Sequence, residues 1–350
     1  MNHLYLHCRP GFEKECAAEI TDLANAAGFF GYSKAEPGTA LVTYVTHEPE
    51  GAYKLIRQLM FADLIFARQW FAGTPVALPD PTDRLTPLLA ETQKLPACCE
   101  WWSETLDTND GKALSGLSKK FARPFTQGLK AHSLLSAGSK LRLHLLFLSG
   151  SEALLGVSPL ANSARWAMGI PRLRQPSQAP SRATLKLEEA WHHFIPAAEW
   201  EQRLAGGMRG IDLGAAPGGW TWQLVNRGMF VDAVDNGPMA DSLMETGQVK
   251  HHVVDGFVYQ PKKPVDWLVC DIADKPARVA QMIGQRAVQG QFREAVFNLK
   301  LPMKQRYAEV VKLRERLQAL FAEHELSAEL AFRQLYHDRE EVTGHIRITS

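Results

Sequence analysis

Ile211-Asp212-Leu213-Gly214-Ala215-Ala216-Pro217-Gly218-Gly219-Trp220 decides how the C-terminal half of the chain is read. A short apolar run enters a loop of small residues, and the segment after Trp220 has helical composition. Gly214 and Gly218 allow backbone conformations, and a close approach of ligand, that a side chain would block. Further apolar runs at 230–234, 265–270 and 295–299 are separated by helical stretches. Together with 210–213 they predict strands alternating with helices, the pattern of a parallel, doubly wound α/β sheet. Ligands of such sheets lie at the carboxyl ends of the strands, where this loop sits. Ahead of the loop, Leu187, Ala190, Trp191 and Phe194 form a helical stripe.

The loop by itself fits a dinucleotide or an adenosylmethionine. It lacks the G-x-G-x-x-G spacing, contains Pro217, and has no Gly-Lys-Ser or Gly-Lys-Thr to cradle phosphate. The surrounding acids separate the two. Asp212 is placed to orient the loop or the amino end of a methionine. Asp235 follows after about 20 residues, the distance at which an acid reaches a ribose diol. Asp255, before Gly256, sits where an adenine amino group is read. Acids without compensating basic residues suit a cationic sulfonium better than a pyrophosphate, so S-adenosylmethionine is the expected cofactor.

Four more charged residues gather at the same sheet edge. Asp271 closes the strand Trp267-Leu268-Val269-Cys270, and Lys300 closes Val296-Phe297-Asn298-Leu299. Lys186 opens the helix before the sheet, and Glu341 follows the Asp338-Arg339-Glu340 turn of a terminal hairpin. A lone charge at a strand end usually just caps it; four converging charges suit proton transfer. A ribose 2′-hydroxyl is a poor nucleophile and must lose its proton while attacking a methyl carbon. A lysine serves as the base only where burial and a neighbouring cation favour its neutral form. Lys186 is expected to supply that cation to Lys300, with Asp271 and Glu341 holding both amines. Partial burial of Lys300 against Leu299, Leu301 and Pro302 is expected as well. Neither a metal nor a covalent intermediate is required, because in-line displacement rests on proximity and alignment.

The rest of the chain sets the context. Its 350 residues suit two domains, and 45% hydrophobic with 22% charged residues is ordinary globular composition. No apolar run reaches the ~18 residues of a membrane span. Met1-Asn2-His3-Leu4 lacks the basic start of a secretory signal. Cys8, Cys16, Cys98, Cys99 and Cys270 form no CxxC pair and no zinc spacing, which reads as reduced thiols in a cytoplasmic protein. A net charge of +1 gives no global basic field. RNA affinity would rest on local patches: Lys119, Lys120 and Arg123; Arg165, Arg172 and Arg174; Lys262 and Lys263.

In the N-terminal half, Leu4, Leu6 and Cys8 alternate as in a strand, and Pro10-Gly11 ends it. Phe12, Cys16, Ile20 and Leu23 then recur at helical spacing, with Glu13 and Glu15 in the first turn. Strands near 41–45 and 64–70 flank a helix near 53–60, making a compact α+β unit. A second piece pairs 140–148 with a strand ending at Val157 across Ser149-Gly150-Ser151. Between 162 and 183 the pattern lapses into a linker.

The segments Ser181 to Glu189, Asp212 to Trp220, Cys270-Asp271, Asn298 to Lys304 and Tyr336 to Thr343 resemble the Lys-Asp-Lys-Glu ribose 2′-O-methyltransferases. Over the whole chain the likeness is closer to a bacterial family that methylates a cytidine ribose in 23S ribosomal RNA. Leu6-His7-Cys8-Arg9-Pro10-Gly11-Phe12-Glu13 resembles the opening of enzymes bearing a THUMP-type RNA-binding region. The resemblance implies an α/β, Rossmann-like methyltransferase sheet preceded by an α+β THUMP-type region. It implies a ferredoxin-like subdomain over 1–75, a THUMP-type domain over 76–165, a linker over 166–182 and the methyltransferase domain over 183–350. Lys186, Asp271, Lys300 and Glu341 would be the tetrad, with Lys300 the proton acceptor. Cofactor contacts would fall at Gly214, Ala216, Pro217, Gly218, Gly219, Asp235, Asp255 and Asp271. The stretch before Lys186 would contribute through the backbone of Ala183 or through Thr184. The partner would be 23S ribosomal RNA, with no membrane and no obligate protein partner.

Rival readings differ in residues that can be named. Exocyclic amine methyltransferases place Asn or Asp before Pro-Pro, unlike Asp271-Ile272-Ala273-Asp274. A base C5 enzyme needs a nucleophilic cysteine, whereas Cys270 lies within an apolar strand as a buried thiol does. A non-catalytic RNA-binding assembly factor would keep the fold without needing Lys300. An NAD-dependent oxidoreductase is the remaining alternative.

Overall fold

In the computed structural model, which describes residues 1–349, the chain divides into two units, Met1–Ile170 and Pro171–Ser350. The first unit has strands β1 (His3–Cys8), β2 (Gly31–Ala35), β3 (Leu41–Thr46), β4 (Ala67–Ala77), β5 (Glu100–Glu104), β6 (Leu141–Phe147) and β7 (Glu152–Pro159). They form one sheet in the order β2-β3-β1-β4-β7-β6-β5. The boundary expected at 75/76 therefore falls inside β4. This strand pairs with β1 through Gly73↔His3 and Ala72↔Leu4, and with β7 from Ala72↔Val157 to Ala77↔Glu152. Helices α1 (Glu13–Ala26) and α2 (Gly51–Gln58) accompany the strands of the first half; α3 (Leu85–Thr92), α4 (Asn109–Ala113) and α5 (Ser115–Ala131) follow. Phe121, Phe125 and Leu129, four residues apart, put one face of α5 into the core.

The start of the expected linker is packed into this first unit. The Met168 N–H donates to the buried Glu104 carboxylate. Gly169 has φ +66°, and a Cβ there would lie 1.8 Å from the Arg68 carbonyl oxygen. Only glycine fits so close to a neighbouring strand.

The second unit has α6 (Thr184–Phe194), α7 (Trp200–Arg203), β8 (Arg209–Leu213), α8 (Gly219–Asn226), β9 (Phe230–Val234), α9 (Asp241–Met244) and β10 (Val249–His252). It continues with β11 (Val265–Cys270), α10 (Pro276–Val288), β12 (Phe292–Lys300), α11 (Arg306–Glu323), β13 (Ala328–Arg333) and β14 (Glu341–Ile348). The sheet order is β10-β9-β8-β11-β12-β14-β13. Neighbours from β10 to β12 pair in parallel, as expected, whereas β14 runs antiparallel to both β12 and β13. Trp191, Trp220, Leu224 and Trp267 pack a core beside the sheet and anchor α6 and α8. The chain leaves β8 to one side and returns through β11 on the other, so a crevice opens at the carboxyl end of β8.

Candidate active site

The loop that leaves β8 is shaped as much by its own packing as by any ligand. Gly214 has φ +78° and Gly218 φ +117°, conformations that L side chains rarely adopt. A Cβ on Gly218 would meet Leu243 Cδ1 at 2.2 Å, and one on Gly219 would meet Ser181 Oγ at 2.3 Å. Both glycines are buried, whereas Pro217 is exposed and Gly214 and Ala216 are half-buried. Asp235, at the end of β9, accepts the backbone N–H of Ala216 at 3.0 Å and of Gly237 at 2.7 Å. It thereby ties the loop to its own turn. Asp255 is exposed and accepts the Phe257 N–H at 2.8 Å.

Asp212 lies behind the loop, 1% exposed, and accepts the Thr221 hydroxyl at 2.7 Å. Of its two expected roles, the structure supports the orienting of the loop. Burial pushes its carboxyl up to about 7, with Asp271 and Asp235 adding repulsion and the Thr221 hydrogen bond opposing. Asp212, Asp235 and Asp255 make no ion pair among the described residues, so the crevice keeps uncompensated negative charge. That donor set and the glycine cradle fit a cationic, nucleoside-containing cofactor.

Thr184 corrects one expectation. Its side chain is fully buried and its hydroxyl donates to the Gly219 carbonyl at 3.0 Å. It joins α6 to the loop, and a cofactor cannot reach it. The Ala183 carbonyl accepts the Trp220 Nε1–H at 2.9 Å and keeps a second lone pair, and Ala183 is half-buried.

The four charged residues converge with unequal exposure. Lys186, in the first turn of α6, places Nζ 2.5 Å from Glu341 Oε1 and 3.6 Å from Asp271 Oδ2. Burial opposes its charge, but the carboxylates of Asp271 and Glu341 outweigh it and raise the amine above its ordinary value. Asp271 is raised by burial, against the pull of Lys186 and of the Asn298 amide. Lys300 stands directly opposite Glu341 in the β12–β14 register, and residues so paired share a face of the sheet. Its side chain is exposed, and its amine makes no hydrogen bond or ion pair among the described residues. The expected burial against Leu299, Leu301 and Pro302 is not present. Along a strand, side chains alternate faces, so Leu299 points away from the side that carries Lys300.

Sequence reading missed a polar layer behind these residues. Asn298 Nδ2 donates to Asp271 Oδ1 at 2.8 Å, and Thr343 Oγ1 donates to Asn298 Oδ1 at 2.8 Å. Glu189 is fully buried on α6 and accepts the backbone N–H groups of Tyr336 at 2.7 Å and His337 at 3.0 Å. Burial alone would raise its carboxyl; hydrogen bonds from His193 and His337 overcome that and bring it down to about 2. Glu189 thus fixes the turn that leads to Glu341. The signal available was periodicity: Glu189 sits inside the Leu187–Ala190–Trp191 stripe, where a charge is unusual.

A glycine loop at the switch point, a β14 strand reversed beside β12, and charged residues at the strand ends define a Rossmann-like methyltransferase unit. Residues 179–326 match the family model described as FtsJ-like methyltransferase. Residues 1–71 match the RlmM ferredoxin-like domain, and 83–159 match ribosomal RNA large subunit methyltransferase M, N-terminal. A Cellvibrio japonicus protein named ribosomal RNA large subunit methyltransferase M is 61% identical over 349 residues, covering 99% of this chain and 100% of that one. Proteins of the same name from Pseudomonas fluorescens and Stutzerimonas stutzeri are each 56% identical over 348 residues. They cover 99% of this chain, and 97% and 99% of their own lengths. The chain belongs to the ribosomal RNA large subunit methyltransferase M family.

Proposed function

We propose that this chain methylates the 2′-hydroxyl of a cytidine ribose in 23S ribosomal RNA, with Lys300 accepting the proton. The cofactor is S-adenosylmethionine, which when bound supplies a methyl group made electrophilic by its cationic sulfur. The supporting observation is Lys300 held opposite Glu341, with Lys186 clamped on Glu341 and Asp271, at the edge where the glycine loop opens. Ala216, Pro217 and Gly214 offer backbone surface to the cofactor, Asp235 and Asp255 offer acceptors to its hydroxyl and amino groups, and Asp271 faces the reacting end. Lys300 Nζ would receive the hydroxyl proton as the ribose oxygen takes the methyl carbon, whose bond to the cofactor sulfur breaks to leave S-adenosylhomocysteine. Glu341, its cross-strand neighbour, lies on the same face of the sheet, and Lys186 is bound to Glu341 and Asp271 beside it.

Exposure of Lys300 gives the bound RNA a part in its chemistry. An RNA ribose that covers the exposed amine removes the water around it. RNA contacts are assigned to the first unit, over 76–165, and the basic patches; the protein works in the cytoplasm. No helix among the described residues is long and apolar enough to cross a membrane.

Lys300→Arg tests the assignment. Arginine keeps the charge but holds its proton with a pKa above about 12. The variant is expected to bind RNA and S-adenosylmethionine normally and to lose at least about a hundredfold in single-turnover rate, the typical share of a general base. A near-normal rate at neutral pH refutes proton acceptance by Lys300. Loss of ribose methylation at one cytidine of 23S RNA in cells lacking the protein checks the substrate.

A further inference from the structure

Behind the site, a line of polar side chains runs from Asp271 through Asn298 and Thr343 to Asp338. Thr343 Oγ1 lies 2.8 Å from Asn298 Oδ1, and 2.9 and 3.2 Å from the two carboxyl oxygens of Asp338. Asn298 Nδ2 reaches Asp271 Oδ1 at 2.8 Å, and the Leu335 N–H donates to Asp338 Oδ2 at 2.9 Å. Asn298 is 3% exposed, Thr343 0% and Asp338 1%, so these three are closed off from solvent.

The hydrogens along this line can be counted. A hydroxyl carries one hydrogen, an amide nitrogen two, and an ionised carboxylate none. The Asn298 nitrogen faces Asp271 and its oxygen faces Thr343, so the one Thr343 hydrogen has two acceptors, Asn298 Oδ1 at 2.8 Å and Asp338 Oδ2 at 2.9 Å. For both contacts to be hydrogen bonds, Thr343 must donate to the amide oxygen, which has no hydrogen of its own, and Asp338 must supply the second hydrogen. Flipping the Asn298 amide does not remove the shortfall. Asn298 would then donate to Thr343, Thr343 to Asp338, and Asp271 would need a proton to reach the amide oxygen. Either way the line contains one proton more than two ionised carboxylates provide.

We propose that Asp271 and Asp338 hold a single proton between them through Asn298 and Thr343. At rest it sits on Asp338, which acts as a positioning residue for Asp271. Location follows from the neighbours. Asp271 has the Lys186 amine at 3.6 Å, which favours its ionised form, whereas Asp338 has no ion pair among the described residues. Burial holds the Asp338 carboxyl well above the ordinary range, with Glu341 and Glu189 adding repulsion and the Leu335 N–H and Lys186 opposing. The groups facing Asp271 are Lys186, Glu341 and, across β8, Asp212. A neutral Asp338 spares this cluster one negative charge and supplies the donor that aligns Thr343, then Asn298, then Asp271. The role of Asp271 rests on the proposed methyl transfer; the proton count does not.

Asp338→Asn is the test, because an amide with its oxygen in the Oδ2 place still accepts the Leu335 N–H and puts its NH2 in the Oδ1 place, 3.2 Å from Thr343 Oγ1, where it can donate as a protonated acid does. At about pH 9, ordinary carboxylates and Asp212 are ionised. There the wild-type minus variant infrared spectrum should show a carboxylic-acid C=O band that shifts in D2O. Asp338→Asn should keep kcat within about threefold, whereas Asp338→Ala should lose about tenfold with KM for RNA unchanged, the effect of one buried hydrogen bond. A difference spectrum without the acid band overturns the proposal, and so does Asp338→Asn as impaired as Asp338→Ala. If Asp338→Asn does not fold, carbon-13 NMR of the aspartate carboxyls in the unaltered protein decides. One carboxyl should stay protonated above about pH 8, where Asp212 has titrated; finding none overturns the proposal. An inactive protein that shows the acid band would refute the methylation reading instead, so the two failures are distinguishable.

Discussion

Replacing Lys186 with methionine keeps most of the side-chain stem and deletes the cation at the centre of the site. Glu341, 13% exposed, and Asp271, 28% exposed, then face each other without the amine that touches both. Breaking a fully buried pair costs roughly 3–5 kcal/mol, and partial exposure here lowers that to about 2–3 kcal/mol. In a unit of this size each kcal/mol moves Tm by about 2–4 °C, so the loss at about pH 8 is roughly 5–10 °C. The pH dependence has a definite sign. Burial already raises Asp271, and removing Lys186 raises it further. A carboxyl whose folded pKa lies above its unfolded value stabilises the fold below the unfolded pKa and loses that contribution as pH rises through the folded one. The deficit of Lys186→Met should therefore be small near pH ~4–5 and complete by pH ~8. Calorimetric scans of both proteins at the two pH values check it. Equal deficits at both would refute the electrostatic account and leave packing of the Lys186 stem as the cause.

Two other substitutions separate the roles of the loop and of the acid behind it. Gly218→Ala places a methyl group 2.2 Å from Leu243 Cδ1 in a backbone of φ +117°. It should cost about 1–3 kcal/mol of stability and abolish S-adenosylmethionine binding in calorimetry; unchanged affinity would remove the loop from the cofactor site. Asp212→Asn retains an acceptor for Thr221 and removes a carboxyl that burial lifts to about 7. Because that raised value destabilises the ionised form, the cofactor-free variant should match wild type near pH ~4 and exceed it by up to roughly 4 kcal/mol at pH ~8. Parallel stability curves across that range would refute the assignment.

The parts of the fold legible in the sequence are those whose pattern is decided by burial on both sides. The mainly apolar runs at β9 and β11 mark their strands to the residue, since the inner positions of a parallel strand are buried, with only Asp232 and Asp266 interrupting them. The edge strands β2 (Gly-Tyr-Ser-Lys-Ala) and β10 (Val-Lys-His-His) carry no such run, because one side of each faces solvent. The candidate pair Asp271 and Lys300 could be placed because each stands at the carboxyl end of a strand, whereas Lys186, in a helix, and Glu341, at the start of β14, carry no such positional signal. Asn298, Thr343 and Asp338 were not legible: a polar residue facing inward leaves the same trace in sequence as one facing water. Lys300 shows the cost of reading neighbours instead of period. Leu299 and Leu301 suggested an apolar surround, but the two-residue repeat of a strand sends adjacent side chains to opposite faces. The exposure that results has a chemical logic for a large substrate. A base that must meet a ribose on a folded RNA has to stand at the surface, where it cannot be oriented by burial of its own. What is held in place is its surroundings: the buried acids, amide and hydroxyl between α6, β12 and β14 fix Asp271 and the turn that leads to Glu341, and none of them has to touch the RNA.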